Sequence, residues 1–272
     1  MGNPLQFWEN LAPYLSHIED NFLDLESINK LKNIINDPVL IIGAGQGLLV
    51  ESLQQSGYSV DGIDNNTKMI EYAERRRGIK LIQEDATNLS FDENSYRTTI
   101  IATGVVDYID DLHLIEEILN EAVRVTTDEG RVLVAFYRIH PASEAFQKRA
   151  GILTVDGKFK HKYAFGLMQG SPSDMIKTIK KDTNMGLLSI IFHLIRMQIL
   201  VPKKERDVSK TFNEMFKVMD NPNEFIASCP DSIPYRTLPS IHKLFEKLGF
   251  SIGNTYVYDS CTVAEIDNSS MH

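Results

Sequence analysis

The sequence predicts an α/β fold in which a doubly wound, mostly parallel seven-stranded sheet ends in an antiparallel hairpin and carries a helical insertion. Three observations support this prediction. Residues Val39–Ile42 form a short, continuous apolar run, which is typical of a parallel strand covered on both faces. Further apolar runs alternate with helical patterns as far as Tyr137, as expected for a parallel sheet. Residues 250–257 and 261–266 then form two strand patterns joined by a short turn.

Composition narrows the functions open to the chain. With 272 residues, of which 43% are hydrophobic, there is enough apolar material for a large core. The formal net charge of -9 disfavours a nucleic-acid partner, because binding a polyanion requires a surplus of Lys and Arg. A small-molecule acceptor or a protein is therefore the expected substrate class.

Cysteine usage and the first residues of the sequence indicate a compartment. The two cysteines, Cys229 and Cys261, lack C-x-x-C spacing, so neither a disulfide framework nor a metal site is predicted. The opening MGNPLQFWEN has neither the basic start nor the apolar core of a signal peptide. We therefore expect a cytoplasmic location.

The chain opens with a helical pattern over residues 4–34, in which Phe7, Leu11 and Tyr14 recur at helical spacing. The first strand then breaks into the glycine loop GAGQG, residues 43–47, and a helix follows. Glycine permits positive φ and lets a ligand lie against the backbone, while the start of a helix offers unpaired amides. The loop therefore predicts a nucleotide-like ligand.

The spacing of the glycines separates two ligand classes. The dinucleotide fingerprint requires glycine or alanine at position 48, where this chain has Leu48, and the third glycine comes one residue early. The pattern G-x-G-x-G after a first strand resembles motif I of the class I S-adenosylmethionine (SAM) dependent methyltransferases. The resemblance implies a SAM site formed by the residues Gly43, Ala44, Gly45 and Gly47. The family's acidic residue two positions before the first glycine is replaced by Ile41, so an NAD or FAD site stays open at this point.

The second strand-helix unit supplies a carboxylate. The strand SVDGID ends at Asp64, about 20 residues beyond Gly43, where nucleotide-binding α/β folds place an acidic residue on the ribose hydroxyls. The alternative is that Asp64 caps the helix that starts near Asn66. The family resemblance further implies that Asn65 and Met69 pack around the adenine.

The third and fourth units separate SAM from the other cofactors. The segment LIQEDATNLSF predicts a strand over residues 80–83 and resembles the family's acidic loop, which implies that Asp85 and Ala86 bind the adenine edge. Together with the glycine loop and Asp64, this loop favours SAM over NAD or FAD. The fourth strand passes through Ile100 and Ile101. Three further cofactor candidates follow its carboxyl end: Thr103, Gly104 and Val105.

The closing elements set the domain boundaries. A helix over residues 112–125 and a turn at residues 128–130 lead into RVLVAFY, the fifth strand. We predict a SAM-binding core formed by residues 1–139 and 234–272, with an N-terminal helical cap, and a mainly helical insertion at 140–233 that serves as a substrate lid. In the family resembled, a leading helix often folds over the cofactor, which makes Tyr14 a cofactor candidate; core packing is the alternative.

An apolar segment stands out within the insertion. Residues 185–201 are apolar except for a few side chains, and Ser189, His193 and Arg196 share one helical face. The segment is too short and too charged for a membrane span, so stable membrane insertion is not expected. A buried lid helix, a homodimer contact, an acceptor groove and transient membrane contact aided by Lys203, Lys204 and Arg206 stay open.

Catalytic candidates follow the carboxyl ends of the fourth and fifth strands: Asp107, Tyr108, Tyr137 and His140. Of these, His140 is the predicted base, because an unperturbed imidazole titrates near neutral pH. The sequence thus predicts a SAM-dependent methyltransferase that acts on an O-, N- or C-nucleophile of a small, partly hydrophobic acceptor without a metal ion. The alternatives are a SAM-binding or protein-interaction module without turnover, and an NAD- or FAD-binding protein.

Overall fold

The computed structural model describes residues 4–17, 25–201, 203–258 and 261–267. The chain forms two compact units: unit 1 comprises residues 1–22 and 139–235, and unit 2 comprises residues 23–138 and 236–272. The N-terminal segment therefore groups with the insertion, whereas the sequence assigned it to the sheet domain. Ile18 and the rest of 18–24, within the predicted first helical segment, lie outside the described residues.

Nine strands are present in the described residues. In chain order they are β1 Val39–Ile42, β2 Val60–Asp64, β3 Ile82–Gln83, β4 Tyr96–Ile101, β5 Thr126–Tyr137, β6 Lys158–Phe159, β7 Ile233–Pro234, β8 Ile252–Val257 and β9 Cys261–Ile266. Unit 2 holds a seven-stranded sheet of order β3-β2-β1-β4-β5-β9-β8. The first five of these strands run parallel, and β9 is antiparallel to both β5 and β8. The predicted fold class is confirmed.

Helices surround the sheet and build unit 1. In chain order they are α1 Pro4–Leu11, α2 Leu25–Leu31, α3 Leu48–Gln54, α4 Thr67–Arg77, α5 Leu112–Val125, α6 Pro141–Arg149, α7 His161–Gln169, α8 Pro172–Asp182, α9 Leu187–Leu200, α10 Lys203–Val218, α11 Pro222–Ser228 and α12 Leu238–Lys247. Short 3-10 helices cover Ala12–His17 and Val106–Tyr108. The helices of residues 141–228 confirm that the insertion is mainly helical.

The sheet of unit 2 is covered on both faces, which explains the continuous apolar run of β1. Leu40 and Ile42 belong to one core cluster, which also contains residues of α5 and α12. Val39 and Ile41 belong to a second cluster, which contains residues of α2, α3 and α4. All four side chains of β1 are buried, because successive residues of a strand point to opposite faces.

Two strand boundaries differ from the sequence prediction. The turn expected at residues 128–130 is wrong, since β5 runs through it as a single strand. Tyr96 pairs with Thr126 and Thr98 pairs with Arg131, so a bulge takes up the extra residues. The third strand is also shorter than expected and covers only Ile82–Gln83. Neither difference moves the carboxyl ends of the parallel strands.

Unit 1 is built around aromatic side chains. The Phe7 ring lies 4.7 Å from the His161 ring, and the Phe165 and Phe212 rings are 4.8 Å apart. His161 is buried, and burial lowers its pKa to about 3, so the imidazole is a neutral core ring at ordinary pH. A long-range contact between α1 and the insertion therefore explains why residues 1–22 group with residues 139–235.

Candidate functional site

The glycine loop after β1 has the backbone that its sequence predicts. The φ values of Gly43, Gly45 and Gly47 are 72°, 55° and 77°, and residues that have a Cβ rarely adopt such values. A Cβ at Gly43 would lie 2.2 Å from Cγ2 of Val105, so the loop passes directly against the segment that follows β4. A Cβ at Gly45 would meet nothing within 4 Å, so this side of the loop is open.

Asp64 joins the loop to the end of β2. Its Oδ2 accepts a hydrogen bond of 2.8 Å from the Gly45 amide, and its Oδ1 accepts one of 2.9 Å from the Asn66 amide. Burial raises the pKa of Asp64 above its usual range, against the backbone hydrogen bonds that lower it. An ionised carboxylate has about four acceptor positions, so further donors can still be bound.

The alternative role proposed for Asp64, that of helix cap, belongs instead to Asn66. The side-chain oxygen of Asn66 accepts hydrogen bonds from the amides of Lys68 and Met69, at 3.0 and 3.2 Å. Asn66 is buried although it is polar, because its cap hydrogen bonds satisfy that oxygen. The carboxylate of Asp64 therefore lies beside the loop and not on the axis of α4.

The loop after β3 is hydrogen-bonded to the end of β2. The Glu84 amide donates to the carbonyl of Asp64 over 3.2 Å, which ties the start of the acidic loop to β2. Asp85 is exposed, and its Oδ1 accepts from the amide and hydroxyl of Thr87, at 3.0 and 2.9 Å. Ala86 is partly buried against the core. The loops after β1, β2 and β3 thus form one continuous edge.

A second carboxylate is buried beyond β4. Asp107 is 3% exposed, and its Oδ2 accepts from the Gly104 amide at 3.1 Å. Both of its oxygens lie 3.3 Å from the Tyr137 amide at the end of β5. Burial raises the pKa of Asp107 to about 6, although these amides and the charge of Arg236 lower it. Asp107 therefore fastens the Thr103–Val105 segment to the last residue of β5.

Arg236 is the charged partner that the sequence did not reveal. Its Nη2 donates to the carbonyl of Ile109 over 2.7 Å. Burial lowers its pKa, while the charges of Asp107 and Asp110 raise it. Its Nε is buried and has no hydrogen-bond partner among the residues that the structure describes. This leaves one guanidinium N–H available beside the strand ends.

Comparison with known proteins finds a methyltransferase domain within the chain. Residues 39–130 match a family described as "Methyltransferase domain". A protein of Paenarthrobacter aurescens, named demethylmenaquinone methyltransferase, is 33% identical over 143 residues, which are 49% of this chain and 54% of that protein. A protein of the same name from Renibacterium salmoninarum is 32% identical over 110 residues, 40% of this chain and 44% of that protein. Residues 39–130 therefore carry a methyltransferase domain.

The curated relatives match only in part, and solved structures support the fold. The chain spans about half the length of the curated relatives it matches. The structure of a SAM-dependent methyltransferase of Methanosarcina mazei has a TM-score of 0.53 at 17% identity and covers 90% of this chain and 97% of its own. A Pyrococcus horikoshii protein has a TM-score of 0.50 at 16% identity, with coverages of 93% and 90%. At these identities the similarity concerns the fold alone.

The predicted cofactor residues lie in both units of the chain. Contacts within unit 2 join the glycine loop to Asp64 and to the Thr103–Val105 segment. Asn65 is exposed and Met69 is buried, and their roles at the adenine stay predictions, as do those of Asp85 and Ala86. Tyr14 lies in unit 1 and is partly exposed, and its cofactor role also stays a prediction.

His140, the predicted base, begins α6 in unit 1. Its Nδ1 accepts a hydrogen bond of 3.2 Å from the Ala142 amide, which makes it the cap of that helix. The cap hydrogen bond uses the lone pair of Nδ1. Whether His140 acts as a base stays a prediction. No group of His, Cys, Asp and Glu arranged to hold a metal ion is found among the described residues.

Replacing Asp107 by asparagine is expected to stabilise the protein above pH 6. The folded-state pKa of about 6 lies above the ordinary value of 3.8, so the native state holds the proton more tightly than the unfolded chain. The stability that the protonated Asp107 carboxyl contributes is fully present below pH 3.8 and is lost as the pH rises through 6. In urea unfolding at pH 8, we expect Asp107→Asn to exceed the parent by about 1–3 kcal/mol, with the two converging near pH 4.

The control for this experiment is Asp128→Asn, since Asp128 is an exposed carboxylate of the same unit. Removing an exposed charge relieves no cost of burial, so the gain in stability at pH 8 should be absent in this variant. A variant Asp107→Asn that is less stable than the parent at pH 8 would show that its hydrogen bonds outweigh the cost of burying the charge.

Proposed function

We propose that this chain transfers a methyl group from SAM to a small, partly apolar acceptor. The observation that carries the proposal is the hydrogen bond from the Gly45 amide to Asp64, which assembles the glycine loop and the carboxylate at the carboxyl edge of the sheet. Ligands of doubly wound folds bind at this edge. The family match over residues 39–130 supports the same assignment.

The residues at this edge fit the chemistry of SAM. The open side of the loop at Gly45 lets the methionyl part approach the backbone, and Asp64 has acceptor positions left for the ribose hydroxyls. Asp85 extends the edge toward an adenine. When bound, SAM supplies a methyl group on a positively charged sulfur. The chain's own contribution is to align an acceptor with that methyl group and to exclude water.

We further propose a quinone-like acceptor. The support is the name of the relatives, demethylmenaquinone methyltransferase, which specifies a quinone as their substrate. The net charge of -9 also favours a neutral small molecule over a nucleic acid. If the acceptor must lose a proton, His140 and Asp107 are the candidate groups. The insertion of residues 140–233 is the proposed lid, and the two cysteines, which form no disulfide with each other, fit a cytoplasmic location.

Calorimetry with SAM, NAD and FAD tests the cofactor assignment. We expect heat of binding with SAM and none with either dinucleotide. A second assay, with isotope-labelled SAM and a demethylated quinone analogue, should show transfer of the label. Binding of NAD or FAD in place of SAM would overturn the proposal. Binding of SAM without transfer to any of a broad set of acceptors would favour a SAM-binding module without turnover.

A further inference from the structure

Helix α9 exposes a continuous apolar face. Leu188, Phe192, Ile195 and Ile199 are 83%, 61%, 55% and 75% exposed. Their spacing of four, three and four residues places them along one side of the helix. The same face is widened by further exposed apolar side chains, those of Leu187, Ile191 and Leu200. We call these seven residues the outer stripe.

The opposite side of α9 already has its packing partners. Ile190 and His193 are buried, and Leu194 and Met197 pack against a core cluster of unit 1 that includes Phe146. The outer stripe is therefore not needed to fold unit 1. A helix that is apolar all round is normally buried on all sides, so the exposed half indicates a surface that receives a partner.

The distribution of charged residues near α9 indicates which kind of partner the outer stripe binds. The chain has a net charge of -9, yet residues 172–218 contain nine Lys and Arg against five Asp and Glu. No acidic residue occurs from Thr183 to Lys204. Lys180, Lys181 and Arg196 are exposed, whereas the side chains of Lys204 and Arg206 lie outside the described residues. An excess of basic residues on both sides of an apolar helix in sequence is complementary to an anionic surface with an apolar interior.

The length of α9 shows whether this helix could span a bilayer or could only lie on its surface. Fourteen residues form a helix about 21 Å long, short of the hydrocarbon core of about 30 Å. In the described part of the chain, no helix is long and apolar enough to cross a membrane. We propose that α9 docks unit 1 reversibly on an anionic lipid bilayer, with the outer stripe at the boundary between headgroups and acyl chains. This proposal does not depend on the cofactor or on methyl transfer.

Vesicle flotation tests the docking without SAM or acceptor. We expect the whole chain to float with vesicles that contain phosphatidylglycerol, to bind vesicles of pure phosphatidylcholine weakly, and to lose binding in high salt. The double variant Leu188→Gln and Phe192→Gln should reduce binding at least tenfold. The matched control is Val155→Gln, because Val155 is also an exposed apolar residue of unit 1 but lies outside the stripe.

Folding is checked by thermal melting, since substitutions at exposed positions should leave the melting temperature unchanged. Two results would overturn the proposal: no binding to anionic vesicles, or equal binding by the parent and the double variant. Sedimentation provides a third: a stable dimer of the parent that dissociates in the double variant would show that a second copy of the chain covers the stripe.

Discussion

Replacing Gly43 by valine is expected to lower the affinity for SAM by more than about 100-fold, or about 3 kcal/mol. Gly43 has a φ of 72°, which strains any residue with a Cβ. A Cβ there would also lie 2.2 Å from Val105 Cγ2, so either the glycine loop or the segment after β4 must move. Both belong to the proposed cofactor site, so the change distorts the site from within. Calorimetric titration with SAM measures the loss.

The variant Gly57→Val is the control that separates the cost of backbone strain from distortion of the cofactor site. Gly57 has a φ of 90° and nothing within 4 Å of a built Cβ, so the substitution brings the backbone penalty without the collision. We expect this variant to lose stability and to retain SAM affinity within a few-fold. If Gly43→Val folds and binds SAM as the parent does, the loop is not the cofactor cradle.

The parts of the fold that the sequence predicts are those with local signals. The four apolar residues of β1 indicate burial on both faces by their own composition, and the glycines that follow have positive φ for a reason local to the loop. Asp64 is predicted as a ribose ligand from its distance along the chain from that loop. Each signal lies within about 25 residues, so one sequence is enough to detect it.

The features that the sequence does not predict depend on contacts between residues that are distant in sequence. Asp107 and Arg236 influence each other's pKa across 129 positions, and no spacing rule joins them. Phe7 packs on His161 in the same way, so the sequence could not show that α1 groups with the insertion. For α9, apolar residues occupy most positions and its few polar ones do not mark the exposed side, since His193 is buried, so packing determines which side is exposed. Inference from the residue pattern of one sequence therefore ends where two distant segments meet.

Replacing Asp64 by alanine is expected to weaken SAM binding by about 1.5–3 kcal/mol, because up to two charge-assisted hydrogen bonds to the ribose are lost. The same change removes the acceptor for the Gly45 amide, which holds the loop against β2. Asp64→Asn separates these effects, since its side-chain oxygen can still accept from an amide while the charge and one acceptor are gone. The expected order of affinity is parent, then asparagine, then alanine.

The control for this series is Asp61→Asn, on the same strand. Asp61 is exposed and accepts a hydrogen bond of 2.8 Å from the Tyr96 hydroxyl, away from the glycine loop. Its variant should bind SAM as the parent does. Stability gives a second criterion: burial raises the pKa of Asp64, so removing this carboxylate relieves a desolvation cost, and affinity should fall without a matching fall in melting temperature. An asparagine variant with the parent's affinity would mean that Asp64 only holds the loop.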